Sequence, residues 1–437
     1  MTHPIEPGLP LPKLTDVTVD YRSKGLPGDL TETSLSALGG KGWNILGGDL
    51  PLPLATLDLD AIEHNSRFIR AVTGHYKVSL CPHGKTTMSP QLFHKQIEDG
   101  CWGITLSTPH QVHVARHYGQ KRIFLANQIL DPVFLNYIAK AQAKDPDFDF
   151  YFLIDSPEGV DALERAAAQQ AGHRPFQVLV EMGSSFGRAG CRTSGEALAL
   201  AERVAAMSRA AMLVGIEGFE GSIRGEGQAQ IEERILDFLG LMTETARQVE
   251  ERGLFGGREI LLTAGGSSFF DLVARALSSA KLSGPTRVVL RSGCYITHDA
   301  GMYKHQIDRA MERSPELDAL GIRPRQALTV WAVVQSRPED DLLFLNVGRR
   351  DVSYDSHLPE ILGYVADGVL SPVGAGHEPI ALNDQHAFVR CPPESPLRPG
   401  MVVQLGISHP CTTFDKWDVL LAVDRSLNVI GAVKTFF

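Results

Sequence analysis

The sequence predicts an α/β chain, a (β/α)8 barrel followed by an all-β C-terminal domain, on three observations. Short apolar runs recur at intervals from Pro51 onward. Nearly every one precedes a longer amphipathic pattern, such as SPEGVDALERAAAQQ. After about residue 315 the helical patterns stop while the strands continue.

The runs are LATLDLD (54–60), KVSLCP (77–82), WGITL (102–106), RIFLA (122–126), FDFYFLID (148–155), FQVLVEM (176–182), MLVGIEGF (212–219), EILLTAGG (259–266) and RVVLRSG (287–293). A strand that is apolar on both faces is buried on both, which is how a parallel sheet reads. Eight or nine strand–helix units over about 250 residues point to a closed barrel rather than an open sheet. The barrel domain is therefore drawn at 51–315 and the β-domain at 316–437. In the latter, ALTVWAVVQSR, DLLFLNVGR, HAFVRCP, MVVQLGI, DVLLAVD and NVIGAV are strands joined by turns such as Leu-Arg-Pro-Gly (397–400). Residues 1–50, rich in proline and glycine, are read as an extension over the main body or a partner subunit.

Composition narrows the function. With 21% charged and 43% hydrophobic residues the chain is globular, and its net charge of −9 includes no basic block. Nucleic acid and anionic membrane are therefore poor partners, and a small molecule is the expected one. No run reaches the roughly 20 apolar residues of a membrane helix. The N-terminus lacks a signal-peptide pattern, and six scattered cysteines need form no disulfides, so a cytoplasmic protein is expected.

Barrel active sites lie at the C-terminal ends of the strands. Lys85, in Pro-His-Gly-Lys-Thr-Thr after the second run, is either a solvated loop residue or an amine aimed into the barrel mouth. If desolvated, it has the nucleophilicity that Schiff-base lysines require. Gly265, Gly266 and Ser267 follow the eighth run, and Ser292, Gly293, Cys294 and Tyr295 follow the ninth. On neighbouring strands, two such turns would form one phosphate cup. Arg188, between glycines after the sixth run, is either a surface side chain or a fork for a phenolate or carboxylate. In the β-domain, His409 and Cys411 stand two residues apart after MVVQLGI. In an extended segment they point the same way, either as packed core groups or as a metal pair whose thiolate suits zinc. His386 is equally open alone.

Together, LATLDLDAIEHN, CPHGKTTMSP, GRAGCR, TAGGSS, SGCY and SHPC resemble the D-threonine aldolase and D-serine dehydratase group, over about residues 51–437. These are pyridoxal-phosphate enzymes with the alanine-racemase-like barrel of fold type III. The resemblance implies that Lys85 forms the Schiff base with the cofactor and that Arg188 contacts its ring oxygen. It gives the phosphate to Gly265, Gly266, Ser267, Gly293 and Tyr295, and the divalent metal, zinc by its thiolate ligand, to His409 and Cys411. His386, in Asp-Gln-His-Ala where the family has Glu-Glu-His-Gly, is a base, a metal neighbour or neither. Thr263 is nominated for the pyridine nitrogen. A homodimer is implied. The expected reaction is dehydration of a D-3-hydroxy amino acid such as D-serine or D-threonine, with aldol cleavage as the alternative. A racemase, with Tyr354 or Tyr364 as second base, or a non-catalytic cofactor carrier stands further back.

Overall fold

The computed structural model describes Leu14 and residues 17–169, 173–185 and 187–437. The opening of the N-terminal extension thus lies outside the described residues. The chain forms two compact units: one of residues 71–85 and 100–293, the other of residues up to Arg70 with 86–99 and 294–437.

In the first unit, eight parallel strands run in chain order: Ser79–Leu80, Ile104–Leu106, Arg122–Gln128, Asp149–Ile154, Phe176–Met182, Ala211–Gly218, Ile260–Ala264 and Thr286–Leu290. The last pairs with the first through Val289 and Ser79. A bridge between His83 and Thr105 and a bond from Trp102 N to Leu80 O (2.7 Å) join the first to the second. The sheet therefore closes on itself as a TIM-like barrel. Its interior holds Cys81, Phe124, Tyr151, Leu153, Leu179, Val214, Leu261 and Val289, drawn from strands all round the sheet, as a packed barrel core requires. Helix starts follow from local chemistry. Asp131 accepts from the N–H of Val133 and Phe134, with Pro132 in the first helical turn. Thr193 accepts from Glu196 N while Glu196 reaches back to Arg192 N (2.7 Å), satisfying N–H groups that the helix leaves open.

The run expected to open the barrel does not. Leu54–Asp58 pairs antiparallel with Leu328–Glu339 and parallel with Val419–Val423, inside the all-β unit. Leaving it out reduces nine candidate strands to eight. Its apolar run reads like a barrel strand because it too is central, covered on both faces. The unit's main sheet continues from Leu328–Glu339 to Val402–Gly406, Glu360–Ala366 and Val369–Pro372 on one side. On the other it runs to Leu342–Leu345, Ala387–Arg390 and Glu378–Leu382. Strands Glu360–Ala366 and Val369–Pro372 lie in a stretch the sequence reading left unassigned. Their turn is Asp367-Gly368, both at positive φ (51° and 73°), the backbone that a two-residue hairpin demands.

The described part of the N-terminal extension packs on its own chain. Val19, Leu26, Leu30, Leu35, Leu38 and Ile45 form one apolar cluster with Trp331, Val419, Leu421 and Val429. The helix Pro90–Glu98 also belongs to this unit, where Gln91 bonds Ala432 O (3.0 Å) and Lys434 N (2.9 Å). No helix among the described residues is long and apolar enough to cross a membrane.

Candidate active site

In the barrel unit the two small-residue turns do lie on neighbouring strands, after the seventh (Ile260–Ala264) and the eighth (Thr286–Leu290). The Ser292 hydroxyl donates to Gly266 O (2.9 Å), which ties them together. Gly265 has φ +111°, where a side chain would be strained. At Gly293 a Cβ would stand 2.5 Å from His83 O and 2.8 Å from His83 Cβ. The backbone there meets the turn that carries Lys85 as closely as glycine permits. Ser267 lies just before the helix Phe270–Ser278. One donor of this cup is engaged: Gly266 N bonds the carboxylate of Glu220 (3.2 Å).

Lys85 sits in the short helical turn Gly84–Thr86 after the first barrel strand, and its side chain is exposed. Arg188 is exposed as well, its guanidinium 5.3 Å from the centre of the Phe219 ring. Burial, then the charges of Lys85, Arg291 and Arg188, hold His83 well below the usual histidine range. The His83 imidazole is therefore neutral, in a field of positive charge.

Beneath them lies a buried charge network that the sequence reading missed. Arg291 pairs with Glu217, both about 2% exposed, and donates to Thr263 Oγ1 (2.9 Å) and Gly218 O (3.1 Å). Thr263 in turn donates to Val289 O (2.8 Å). Its hydroxyl is therefore committed within the barrel, which removes the ground for nominating it toward a pyridine nitrogen. Glu181 accepts from Gln128 (2.5 Å). Burial, then repulsion from Glu217, pushes its carboxyl up to about 8. The available signal was a charged residue near the end of an otherwise apolar run: Glu181 in FQVLVEM, Glu217 in MLVGIEGF and Arg291 in RVVLRSG.

In the all-β unit, Cys411 opens the helical turn Cys411–Phe414, and Pro410 already has helical dihedrals (φ −59°, ψ −43°). The extended geometry expected for His409-Pro410-Cys411 is thus replaced by a turn, set by the helical ψ of Pro410 since its φ suits either backbone. The turn still brings the imidazole and the thiol near enough for each to shift the other's titration. His409 Nδ1 donates to Asp355 Oδ2 (2.6 Å), and Asp355 Oδ1 accepts from Thr412 (2.6 Å). Burial disfavours the imidazolium, yet the bonds to Cys411 and Asp355 outweigh it and raise His409 to about 9. The Cys294 hydrogen bond, and after burial the His409 imidazole, hold the Cys411 thiol well below its ordinary value. Cys294 Sγ lies 3.8 Å from Cys411 Sγ, and Cys411 donates to Thr86 Oγ1 (3.3 Å). Tyr295 is fully buried in this same unit. His386 occupies the exposed turn between Glu378–Leu382 and Ala387–Arg390, where its carbonyl accepts from Asn383 N (2.8 Å). The group placed against His409 is Asp355. Among the described residues no group of three or more His, Cys, Asp or Glu side chains is arranged to hold a metal ion.

Comparison with known proteins finds relatives for both units. The family model for the alanine racemase N-terminal domain matches residues 57–255, and that for a putative serine dehydratase domain matches 327–423. A D-threonine aldolase from Arthrobacter sp. is 24% identical over 376 residues, covering 85% of this chain and 88% of that protein. In structure, the D-threonine aldolase of Filomicrobium marinum superposes with a TM-score of 0.72 at 20% identity, over 90% of this chain and 97% of the other. The D-threo-3-hydroxyaspartate dehydratase of Delftia sp. HT23 superposes with a TM-score of 0.68 at 19% identity, over 90% and 99%. An alanine-racemase-like barrel is thus joined to a β-domain that matches the putative serine dehydratase model, and the chain as a whole resembles the D-threonine aldolases and D-3-hydroxyaspartate dehydratase, which are pyridoxal-phosphate-dependent lyases.

Proposed function

We propose that this protein is a pyridoxal-phosphate- and metal-dependent dehydratase acting on a D-3-hydroxy amino acid, D-serine or D-threonine in type, releasing a 2-oxo acid and ammonia. The observation that carries the reading is the thiol of Cys411 beside the imidazole of His409. A cysteine in this pair favours a soft ion, zinc, over magnesium or manganese.

The barrel residues fit the cofactor. The joined turns at Gly265–Ser267 and Ser292–Gly293 supply small residues and backbone N–H groups for a phosphate, with Arg188, Lys85 and Arg291 lending positive charge. When bound, pyridoxal phosphate supplies an electron sink for charge developing at the substrate's α-carbon. Lys85 would hold it covalently, yield that place to the substrate amine, and then move the α-proton. Arg188 would orient the ring through its oxygen. His409 and Cys411 would hold the ion, which as a Lewis acid makes the β-hydroxyl a better leaving group. The reading includes a homodimer, tested by light scattering, and a cytoplasmic site of action.

The relatives named as D-threonine aldolases favour a second reading, cleavage between the α- and β-carbons. One assay separates the two. Purified protein loaded with zinc and cofactor is given D-threonine, with L-threonine alongside. Oxobutanoate and ammonia from the D-isomer are expected; glycine and acetaldehyde would establish the aldolase instead.

A further inference from the structure

All six cysteines are unbridged, and two of them meet. Cys294 and Cys411 each open a short helical turn, and their sulfurs lie 3.8 Å apart. Thr86 Oγ1 stands 3.3 Å from the Cys411 sulfur and 3.9 Å from that of Cys294. Cys411 is half-buried and Cys294 is 9% exposed. A reagent from solvent therefore reaches Cys411 first, and Cys294 waits behind it. Cys191 and Cys391 differ: each is buried and turned toward a backbone carbonyl, of Asp155 and Asp340.

We propose that Cys411 and Cys294 form a peroxide-reactive thiol pair whose oxidation removes the metal ligand at Cys411. A hydroperoxide transfers one oxygen to the Cys411 sulfur, giving the sulfenic acid and, from hydrogen peroxide, one water. The Cys294 sulfur then attacks the Cys411 sulfur. The S–S bond forms, the S–O bond breaks, and the hydroxyl leaves with the Cys294 proton as a second water. Two thiols and one peroxide thus become one disulfide and two waters. The sulfurs need approach by only about 1.8 Å to reach bonding distance, and both sit on short turns. A thiol reductant reverses the change by exchange. A disulfide sulfur is no thiolate, so His409 would lose its neighbouring donor. The effect on metal rests on the reading under Proposed function, while the cross-link itself does not.

The test uses the full chain loaded with cofactor, with and without zinc, treated with equimolar hydrogen peroxide. Free thiols are then alkylated, and non-reducing digests are analysed by mass spectrometry. The expected result is one cross-linked peptide pair, Cys294 with Cys411, together with at least tenfold weaker zinc retention, both reversed by dithiothreitol. Bound zinc should slow the cross-link. Cys294→Ser should bind zinc but yield no cross-link, and its Cys411 should progress to the sulfinic acid. Sulfinic acid at Cys411 in the unaltered chain, with Cys294 still alkylated, overturns the proposal. If the cross-link forms but the reduced protein never bound zinc, the thiol pair stands and the metal reading falls.

Discussion

His409 Nδ1 and Asp355 Oδ2 are 2.6 Å apart. A carboxylate only accepts, so the proton of that bond belongs to the imidazole, and Nε2 is the other ring nitrogen, the one an ion would take in place of a proton. Asp355 is itself fixed by Thr412. Such an outer carboxylate sets both the tautomer and the direction of a metal-binding histidine. Asp355→Asn should therefore weaken zinc binding by roughly 10- to 100-fold, the usual effect of losing such a partner, while the cofactor stays bound. Chelator competition on the cofactor-loaded protein measures it, and unchanged zinc affinity would remove Asp355 from this role.

Lys85→Ala should abolish the visible absorbance that the cofactor acquires on attachment to a lysine amine. Turnover should fall by about 10²–10⁴-fold or more, as for loss of a positioned proton-transfer group. An absorbance spectrum of the reconstituted variant decides the point, and a retained band would move the attachment to another residue.

Gly293→Ala places a methyl group 2.5 Å from His83 O and 2.8 Å from its Cβ. Neither can move without shifting the turn before Lys85. The overpacking should cost about 1–3 kcal/mol and weaken cofactor binding, seen in urea melts and in cofactor titration. Wild-type values in both would mean that the turn is looser than its contacts.

Glu181 gives a pH dependence with a definite sign. Its carboxyl holds its proton up to about 8 in the folded protein, against 4.5 for an ordinary glutamate. Between those values the folded state binds a proton that the unfolded chain has lost, so this group's contribution to stability falls as pH rises from 4.5 to 8. Glu181→Gln should flatten that part of the profile and stabilise the protein at pH 8 by an amount on the order of a few kcal/mol. Denaturant melts across the range test it; parallel profiles would show that Glu181 is ionised in the fold.

The barrel was legible because a buried parallel strand leaves a dense signature, a short apolar run and then a helix. The same density misassigned Leu54–Asp58, since centrality in any sheet makes the same run. Lys85, the glycine turns, Arg188 and the His409–Cys411 pair could be found because each stands in a short motif at a strand end. That Asp355 meets His409 and Cys294 meets Cys411 could not, since each pair joins distant parts of the sequence and only the fold makes them neighbours. Thr263 misled for a related reason: a hydroxyl at a strand end looks available until Arg291 and Val289 are seen to use it.

The placement of Leu54–Asp58 also bears on how the molecule is made. Its antiparallel partner, Leu328–Glu339, leaves the ribosome only after the entire barrel has been synthesised. Until then an apolar strand has no edge to join, a state that invites association with other chains. The β unit is therefore a late, long-range closure, slow by its topology. A fragment ending near residue 315 would carry that strand permanently unpaired, and cutting the chain at the apparent end of the barrel is the wrong way to isolate it.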